Sequence, residues 1–457
     1  MRKTFFEYLF VACSYFWIFK PAFLNVVYAN ILPVFIGHGG FWAFSVAVLL
    51  VWGVSFTFWG LIGLIRLVSD ATHVFISERF SKKNKVNDIS EEEVAVIVPA
   101  HNEELVIADT LTSLLHLTKG YNVFIVSDGS NDRTAEIARL YGVNVLELNP
   151  SKGKAGALET CINHFQIAQK YKAVILVDAD TRLKDNYLQY ALPLFNDPEV
   201  VAVAGYAATI WNPEKLSWKQ ILFVSHRDRV YFLFQTIVKF GQTWKYSNVT
   251  HIVPGFASIY RTSILDKLTI NPPGLVIEDF NMTFEVHHKN LGKIAHDPRV
   301  VGYTQDPDNA RDYFHQIKRW HLGFWQTIRL HGVWPSKFWA TMSLTLIEAV
   351  LGSFVFLILP ILFILAFIPA HYFYLSAWPG FINIHYLFIA FFVGVIVSDY
   401  LLTVIVALIQ DRKEYLFVGL FFPVVRVLDA VAFLTAIPKA FLTKSNGRWV
   451  SPSRRVS

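Results

Sequence analysis

The sequence predicts an α/β domain built on a mostly parallel sheet and fused to an α-helical transmembrane region. Three observations predict it. Apolar runs long enough to cross a bilayer sit at both ends of the chain. The middle alternates short apolar strands with helix-like stretches, the pattern of a sheet covered on both faces. The chain of 457 residues is 54% apolar and only 17% charged, against roughly 25% charged in an ordinary soluble domain. These values exclude a disordered, a fibrous and an all-soluble protein. Cys13 and Cys161 are the two cysteines, too few for a disulfide framework.

The elements follow in order. Residues 1–14 read as an interfacial segment and about 15–36 as a first span, the apolar run being interrupted by Lys20 and Pro21. The run is too long for a signal peptide, and no clear small-residue cleavage site follows. Gly37, His38, Gly39 and Gly40 make a tight hairpin, and Phe41 to Val68 forms a second span with Arg66 near its end. Residues 1–68 are therefore an N-terminal membrane region and 69–310 a soluble domain. The charged stretch 81–93 reads as a solvated linker. Residues 311–337 read as amphipathic and interfacial, because Tyr313, Ile317, Trp320, Phe324 and Ile328 fall at helical spacing. Residues 338–443 form a C-terminal membrane region, and 444–457 a basic tail. Within it Phe338–Ala370 and Phe381–Gln410 read as spans. Tyr415–Leu442 holds Pro423, Arg426, Asp429 and Pro438. It reads as re-entrant or as a broken helix pair in which Arg426 meets Asp429.

Charge sets the orientation. Arg2, Lys3, Arg66, Arg79, Lys82, Lys83 and Lys85 flank the first two spans on one side, and the 371–380 loop carries no Lys or Arg. The positive-inside rule then places the soluble domain and the basic tail in the cytoplasm, the chain being multi-pass in an inner or plasma membrane. The net charge is +6. The basic residues gather at the membrane flanks, which suits anionic lipid and argues against nucleic acid.

Five strands are expected in the soluble domain: Val94–Pro99, Val123–Val126, Val143–Leu148, Ala173–Val177 and Val200–Ala204. In a parallel sheet, ligands sit at the carboxyl ends of the strands. Asp128 and the pair Asp178 and Asp180 lie at such ends. Two carboxylates spaced i, i+2 suit Mg²⁺ or Mn²⁺ held together with substrate phosphates, though a solvated loop carries the same pair. Lys152, Gly153 and Lys154 open a helix, and backbone N–H groups with a lysine there suit an anionic diphosphate. An exposed basic turn has the same sequence. Glu278 and Asp279 open another helix, where a carboxylate serves either as a general base or as an ordinary first-turn acid. Gln316, Arg319 and Trp320 share one helix turn and join an amide, a phosphate-pairing guanidinium and a flat apolar face. Asp306 and Asp308 read as loop acids.

Taken together, Val98-Pro99-Ala100-His101-Asn102-Glu103-Glu104, Ser127-Asp128-Gly129-Ser130, Asp178-Ala179-Asp180, Glu278-Asp279 and Gln316-Ile317-Lys318-Arg319-Trp320 resemble the motifs of the processive family 2 glycosyltransferases. These are the membrane-embedded synthases of cellulose, chitin, hyaluronan and poly-N-acetylglucosamine. The tail Arg448-Trp449-Val450-Ser451-Pro452 is similar to that of poly-β-1,6-N-acetylglucosamine synthases. Two positions depart from the family: Ser127 stands where an Asp is common, and Val253-Pro254-Gly255-Phe256 lacks the usual cysteine or serine.

The resemblance implies a GT-A-like catalytic domain and inverting polymerisation of a UDP-sugar, UDP-N-acetylglucosamine first, into a β-linked polysaccharide secreted through the enzyme's own channel. It implies Asp279 as the base and Asp180 as the metal ligand for Mg²⁺ or Mn²⁺. Asp128, Lys154, Asp178, Gln316 and Arg319 would meet the nucleotide or its diphosphate. Trp320, Gly255, Phe256 and Glu278 would meet the acceptor. Arg448 and Trp449 would gate the site. A small membrane accessory subunit is a further expected partner, beside membrane lipids and the growing polymer. Transfer of a single sugar to a membrane lipid, and a transporter with a regulatory domain, are the alternatives.

Overall fold

A computed structural model describes residues 40–80, 87–366, 368 and 384–443 of the protein. The first membrane segment, the hairpin glycines before Gly40, the 371–380 loop, residues 81–86 of the linker, and the tail with Arg448 and Trp449 lie outside the described residues. The chain divides into two compact units, residues 1–53 with 354–402, and residues 54–353 with 403–457.

In the first unit, α1 (Gly40–Trp52) passes the helix that carries Gly394. A Cβ built on that glycine would stand 2.8 Å from the Ala47 side chain, so the missing side chain is what lets the two helices approach.

The second unit begins with α2 (Val54–Phe80), followed by β1 (Val94–Ala100), α3 (Ile107–Leu117), β2 (Val123–Asp128), α4 (Thr134–Leu140), β3 (Asn144–Leu148) and α5 (Gly153–His164). Next come β4 (Ala173–Val177), β5 (Arg182–Leu183), β6 (Val200–Val203), β7 (Tyr206–Thr209) and α6 (Trp218–Leu233). Then follow β8 (Ala257–Arg261), α7 (Glu278–His288), β9 (Lys293–Ala295), β10 (Val301–Thr304) and α8 (Ala310–His331). The chain continues through α9 (Lys337–Ala366), α10 (Ile384–Gln410) and α11 (Phe422–Leu442).

The main sheet has the order β3-β2-β1-β4-β8-β6-β9 and is parallel except for β8. Every residue of β1 is buried, and its side chains alternate between two cores. Val94, Val96, Val98 and Ala100 face Ile107, Leu111 and Leu114 of α3. Ala95 and Ile97 face Ala157, Leu158 and Cys161 of α5. This is the two-residue period of a strand covered on both sides. The fifth expected strand, Val200–Ala204, corresponds to β6, which does not lie beside β4. The strand β8, which was not expected from the sequence, stands between β4 and β6. The insertion matters, because β8 runs antiparallel and pairs Ala257 with Val177. The loop before β8 is thereby delivered to the carboxyl end of β4. A small second sheet, β5-β10-β7, lies in the same unit.

Among the described residues, four segments are long and apolar enough to cross a membrane: Val54–Thr72, Lys337–Leu365, Leu387–Gln410 and Glu414–Leu442. The single span expected over Phe41–Val68 is broken. Gly53 adopts φ +79° between α1 and α2, a conformation that ends a right-handed helix and favours glycine. Arg66, read above as a flanking charge, is also engaged. Its guanidinium donates to the Phe240 carbonyl (2.7 Å), the His296 carbonyl (2.9 Å) and Thr243 Oγ1 (3.1 Å), fastening α2 to the α/β part. Tyr415–Leu442, expected to be re-entrant or a broken helix pair, is helical with one irregular step near its start. It is a short helix, Glu414–Val418, then a tight turn and the continuous α11, with Pro423 in its first turn where a missing N–H costs nothing.

Candidate active site

Asp128 ends β2 and is fully buried. Its carboxylate accepts from Ser151 Oγ (2.7 Å), Lys152 N (2.7 Å) and Gly153 N (2.8 Å). The acid thus holds the turn that opens α5 and satisfies backbone donors at the start of that helix. Its own carbonyl accepts from His101 Nδ1 at 2.6 Å. With its carboxylate so engaged, Asp128 serves the basic turn directly and any nucleotide through it.

Lys154 lies one residue beyond that turn and reaches three partners. Its Nζ stands 2.7 Å from Asp178 Oδ1 and 3.0 Å from Glu278 Oε1, and donates to the Gly255 carbonyl at 3.1 Å. Burial alone would lower the pKa of the ammonium, but the Asp178 and Glu278 charges outweigh it and raise it. Asp178 follows β4, Gly255 precedes β8, and Glu278 opens α7. One lysine therefore gathers three loops at the carboxyl end of the sheet.

Asp279 completes the cluster. Its Oδ2 accepts from Gly255 N (3.3 Å) and its Oδ1 from Phe280 N (2.7 Å). The residue keeps some solvent contact while standing in protein surroundings. Burial, then the Glu278 charge, push its carboxyl up to about 7, with Lys154 and the two backbone donors acting the other way. Such a group is suited to take a proton near neutral pH. Gly255 has no room for a side chain. A Cβ there would meet Glu278 Oε1 at 3.0 Å, Lys154 Nζ at 3.2 Å and Asp279 Cβ at 3.3 Å. Phe256 packs its ring against the first core, and its carbonyl accepts from Asp178 N at 3.4 Å.

Asp180 lines a neighbouring shallow cleft with Asp109, Thr110, Arg182 and Gln305. Among the described residues no three His, Cys, Asp or Glu side chains form a metal cage. The two carboxylates that follow β4 are Asp178, paired with Lys154, and Asp180. That donor set fits Mg²⁺ or Mn²⁺, which take one or two carboxylates and complete their shell with phosphate and water.

The helix α8 carries Gln316, Arg319 and Trp320. Asn309 caps its start by accepting from Asp312 N at 2.9 Å. Tyr313, Ile317, Phe324 and Ile328 are buried and Trp320 is half-buried. The helix docks on the segment leading into α7. A Cβ on Gly323 would clash with Ile277 at 2.9 Å, Gln326 Oε1 accepts from Val276 N at 3.2 Å, and Phe324 meets Phe280 with ring centroids 5.2 Å apart. Arg319 is half-buried and makes no hydrogen bond or ion pair among the described residues.

One element at the site was not singled out in the sequence. In α6 the tetrapeptide His226, Arg227, Asp228 and Arg229 is wholly buried. His226 Nδ1 lies 3.0 Å from Tyr313 Oη. Arg227 donates to Gln316 Oε1 (3.1 Å) and its guanidinium lies 4.5 Å from the Trp320 ring. Tyr415 donates to Asp228. Arg229 donates to Thr403 Oγ1 at 2.7 Å and lies over Phe422. The signal was four consecutive ionic or titratable residues flanked by apolar stretches of one helix. Asp306 is a further case of the same kind. It stands in a loop as expected, but it is 3% exposed, accepts from Thr209 Oγ1 at 2.7 Å and faces Arg227. Burial pushes its carboxyl up to about 6, against the pull of Arg227.

Residues 95–269 match the family model described as "Glycosyl transferase family 2". The chain is 29% identical over 265 residues to the probable glycosyltransferase YdaM of Bacillus subtilis, covering 55% of this chain and 60% of that protein. It is 25% identical over 413 residues to the poly-beta-1,6-N-acetyl-D-glucosamine synthase of Staphylococcus epidermidis, covering 85% and 94%. Among solved structures, a mannosyltransferase from Pyrobaculum calidifontis in complex with GDP-Man and Mn²⁺ aligns with a TM-score of 0.45 at 17% identity, covering 83% of this chain and 99% of that one. Staphylococcus aureus TarS 1-349 in complex with UDP-GlcNAc aligns with a TM-score of 0.36 at 13% identity, covering 76% and 91%.

Proposed function

Since residues 95–269 are a family 2 glycosyltransferase domain and the chain is a membrane-helix-bearing glycosyltransferase, we propose that it polymerises a UDP-sugar into a β-linked polysaccharide, with UDP-N-acetylglucosamine the first donor to test. The observation that carries the reading is the cluster of Lys154, Asp178, Glu278, Gly255 and Asp279 at the carboxyl end of the sheet. The likeness to the Staphylococcus epidermidis synthase along most of both chains supports the choice of donor and product.

In this reading Asp279 takes the proton from the acceptor hydroxyl as that oxygen attacks the anomeric carbon in line, giving inversion. Lys154 offsets the charge that grows on the departing diphosphate, which is where fixed electrostatics contribute most. It can turn from Asp178 and Glu278 to the phosphate without leaving the site. Arg319, free of partners in the described protein, and Gln316 present donors to the same group. Asp178 and Asp180 would hold Mg²⁺ or Mn²⁺, which when bound offsets further diphosphate charge. Trp320 offers an apolar face to the acceptor sugar. The apolar helices support a site beside a membrane, and the distribution of Lys and Arg supports a cytoplasmic α/β part.

The test is UDP release by the purified full-length protein with Mg²⁺ or Mn²⁺ over a panel of UDP-sugars, with the product sized by mass. A ladder of long product from one donor supports the reading. A single-sugar product, or turnover only with an added lipid acceptor, replaces polymerisation by single transfer. No release from any UDP-sugar overturns it.

A further inference from the structure

We propose that Arg227 is a positioning residue for the transfer: it fixes which atoms of Gln316 and which face of Trp320 are offered to the ligands. The proposal rests on the transferase reading, in which those two side chains meet the diphosphate and the acceptor.

An amide side chain has two ends of similar shape and opposite hydrogen-bonding character. Left alone, Gln316 would offer a ligand either its carbonyl or its NH₂. Arginine has donors only and stays charged at any pH the protein meets. The Arg227 Nη2 group donates to Gln316 Oε1 at 3.1 Å. The oxygen is thereby held toward α6, and Nε2 is left as the group that a ligand can meet. Gln316 becomes a donor, which suits an anionic oxygen and not a second donor.

The same guanidinium lies 4.5 Å from the Trp320 ring and 4.7 Å from the Tyr313 ring. A cation over an indole is favourable, more so away from water. One face of Trp320 is thus committed to Arg227. The ion is not stranded, because Asp306 Oδ1 lies 4.0 Å from Arg227 Nε, and Asp306 is itself held by Thr209 of β7. A continuous path of contacts therefore runs from the small sheet through Asp306 and Arg227 to the ligand-facing side of α8. Arg227 is 4% exposed, so it acts through Gln316 and Trp320 and not by touching substrate.

Lysine keeps the charge but lacks the planar fork and the flat face, so Arg227→Lys separates positioning from charge balance. A merely destabilising change removes active molecules, lowering apparent kcat and leaving KM alone. Positioning predicts the opposite pattern. Arg227→Lys should raise the donor KM about tenfold, the order of one hydrogen bond from a charged donor, and should also raise the KM for an oligosaccharide acceptor. In a Gln316→Ala background, adding Arg227→Lys should move the donor KM by less than about twofold, because the two changes share one interaction. Arg227→Met with Asp306→Asn removes the ion pair as a unit, so that no buried charge is left alone, and should reproduce the donor KM defect. Unchanged KM values in Arg227→Lys, or additive effects in the Gln316→Ala background, overturn the proposal. Silence of the unaltered protein with every UDP-sugar is a different result and counts against the transferase reading itself.

Discussion

Asp279 is where the site's chemistry and its electrostatics meet. Burial and the Glu278 charge hold its carboxyl up at about 7. A base must be unprotonated to act. The donor kcat/KM should therefore rise with pH through about 7 and level off above it, as a pH profile of UDP release would report. A profile flat from about pH 5 to 9 would remove Asp279 from that role. Asp279→Asn should abolish turnover while UDP binding, read by calorimetry, persists. Gly255→Ala is a sharper probe of geometry. Its new methyl would press on Glu278 and Lys154, and displacement of a reacting group by a fraction of an ångström to 1 Å costs up to ~100-fold. The expected result is a large loss of kcat with an unchanged melting temperature. Near-normal turnover would show that the cluster relaxes freely.

At the scale of elements, the loops are aimed by what anchors them. The turn before α5 is held by the Asp128 carboxylate through two backbone N–H groups and one hydroxyl. Asp128→Ala would leave the buried Gly153 N–H unmet, at about 1–3 kcal/mol, and would loosen Lys154. A lower melting temperature together with a raised donor KM is expected; a change in melting temperature alone would confine Asp128 to stability. Gly323 plays the matching part on α8, where Ile277 occupies the space a side chain would need. The amphipathic spacing of α8 was legible in the sequence, and Tyr313, Ile317, Phe324 and Ile328 are indeed its buried residues. The partner of its polar side was not legible. Arg227 and Asp306 are separated from Gln316 by long or irregular stretches of chain, and no local period reports such a pairing.

For the molecule as a whole, the C-terminal segment is the informative case. Glu414–Leu442 has the length and composition of a span, yet α11 runs parallel beside α8 along its length. Tyr313 donates to Asp429 at 2.8 Å near one end, and Arg329 donates to the Ala440 carbonyl near the other. Tyr313, Ile317, Val425 and Ala432 share one core between them. This packing along α8 predicts that α11 stays on the side of the α/β part. The basic tail after Thr443 should then lie on the side of the α/β part. A single cysteine placed in the tail should react with a membrane-impermeant thiol reagent only when that side is exposed; labelling from the opposite side would show that α11 spans. Composition and period were enough to tell strand from helix, to mark apolar runs and to place acids at strand ends, because each depends on neighbours within a few residues. Tertiary structure alone decided that β8 enters antiparallel beside β4, that Lys154 gathers three distant loops, and that Arg227 orients Gln316. Those outcomes depend on which side chains fill a common space, and residues far apart in the chain leave no periodic trace of sharing it.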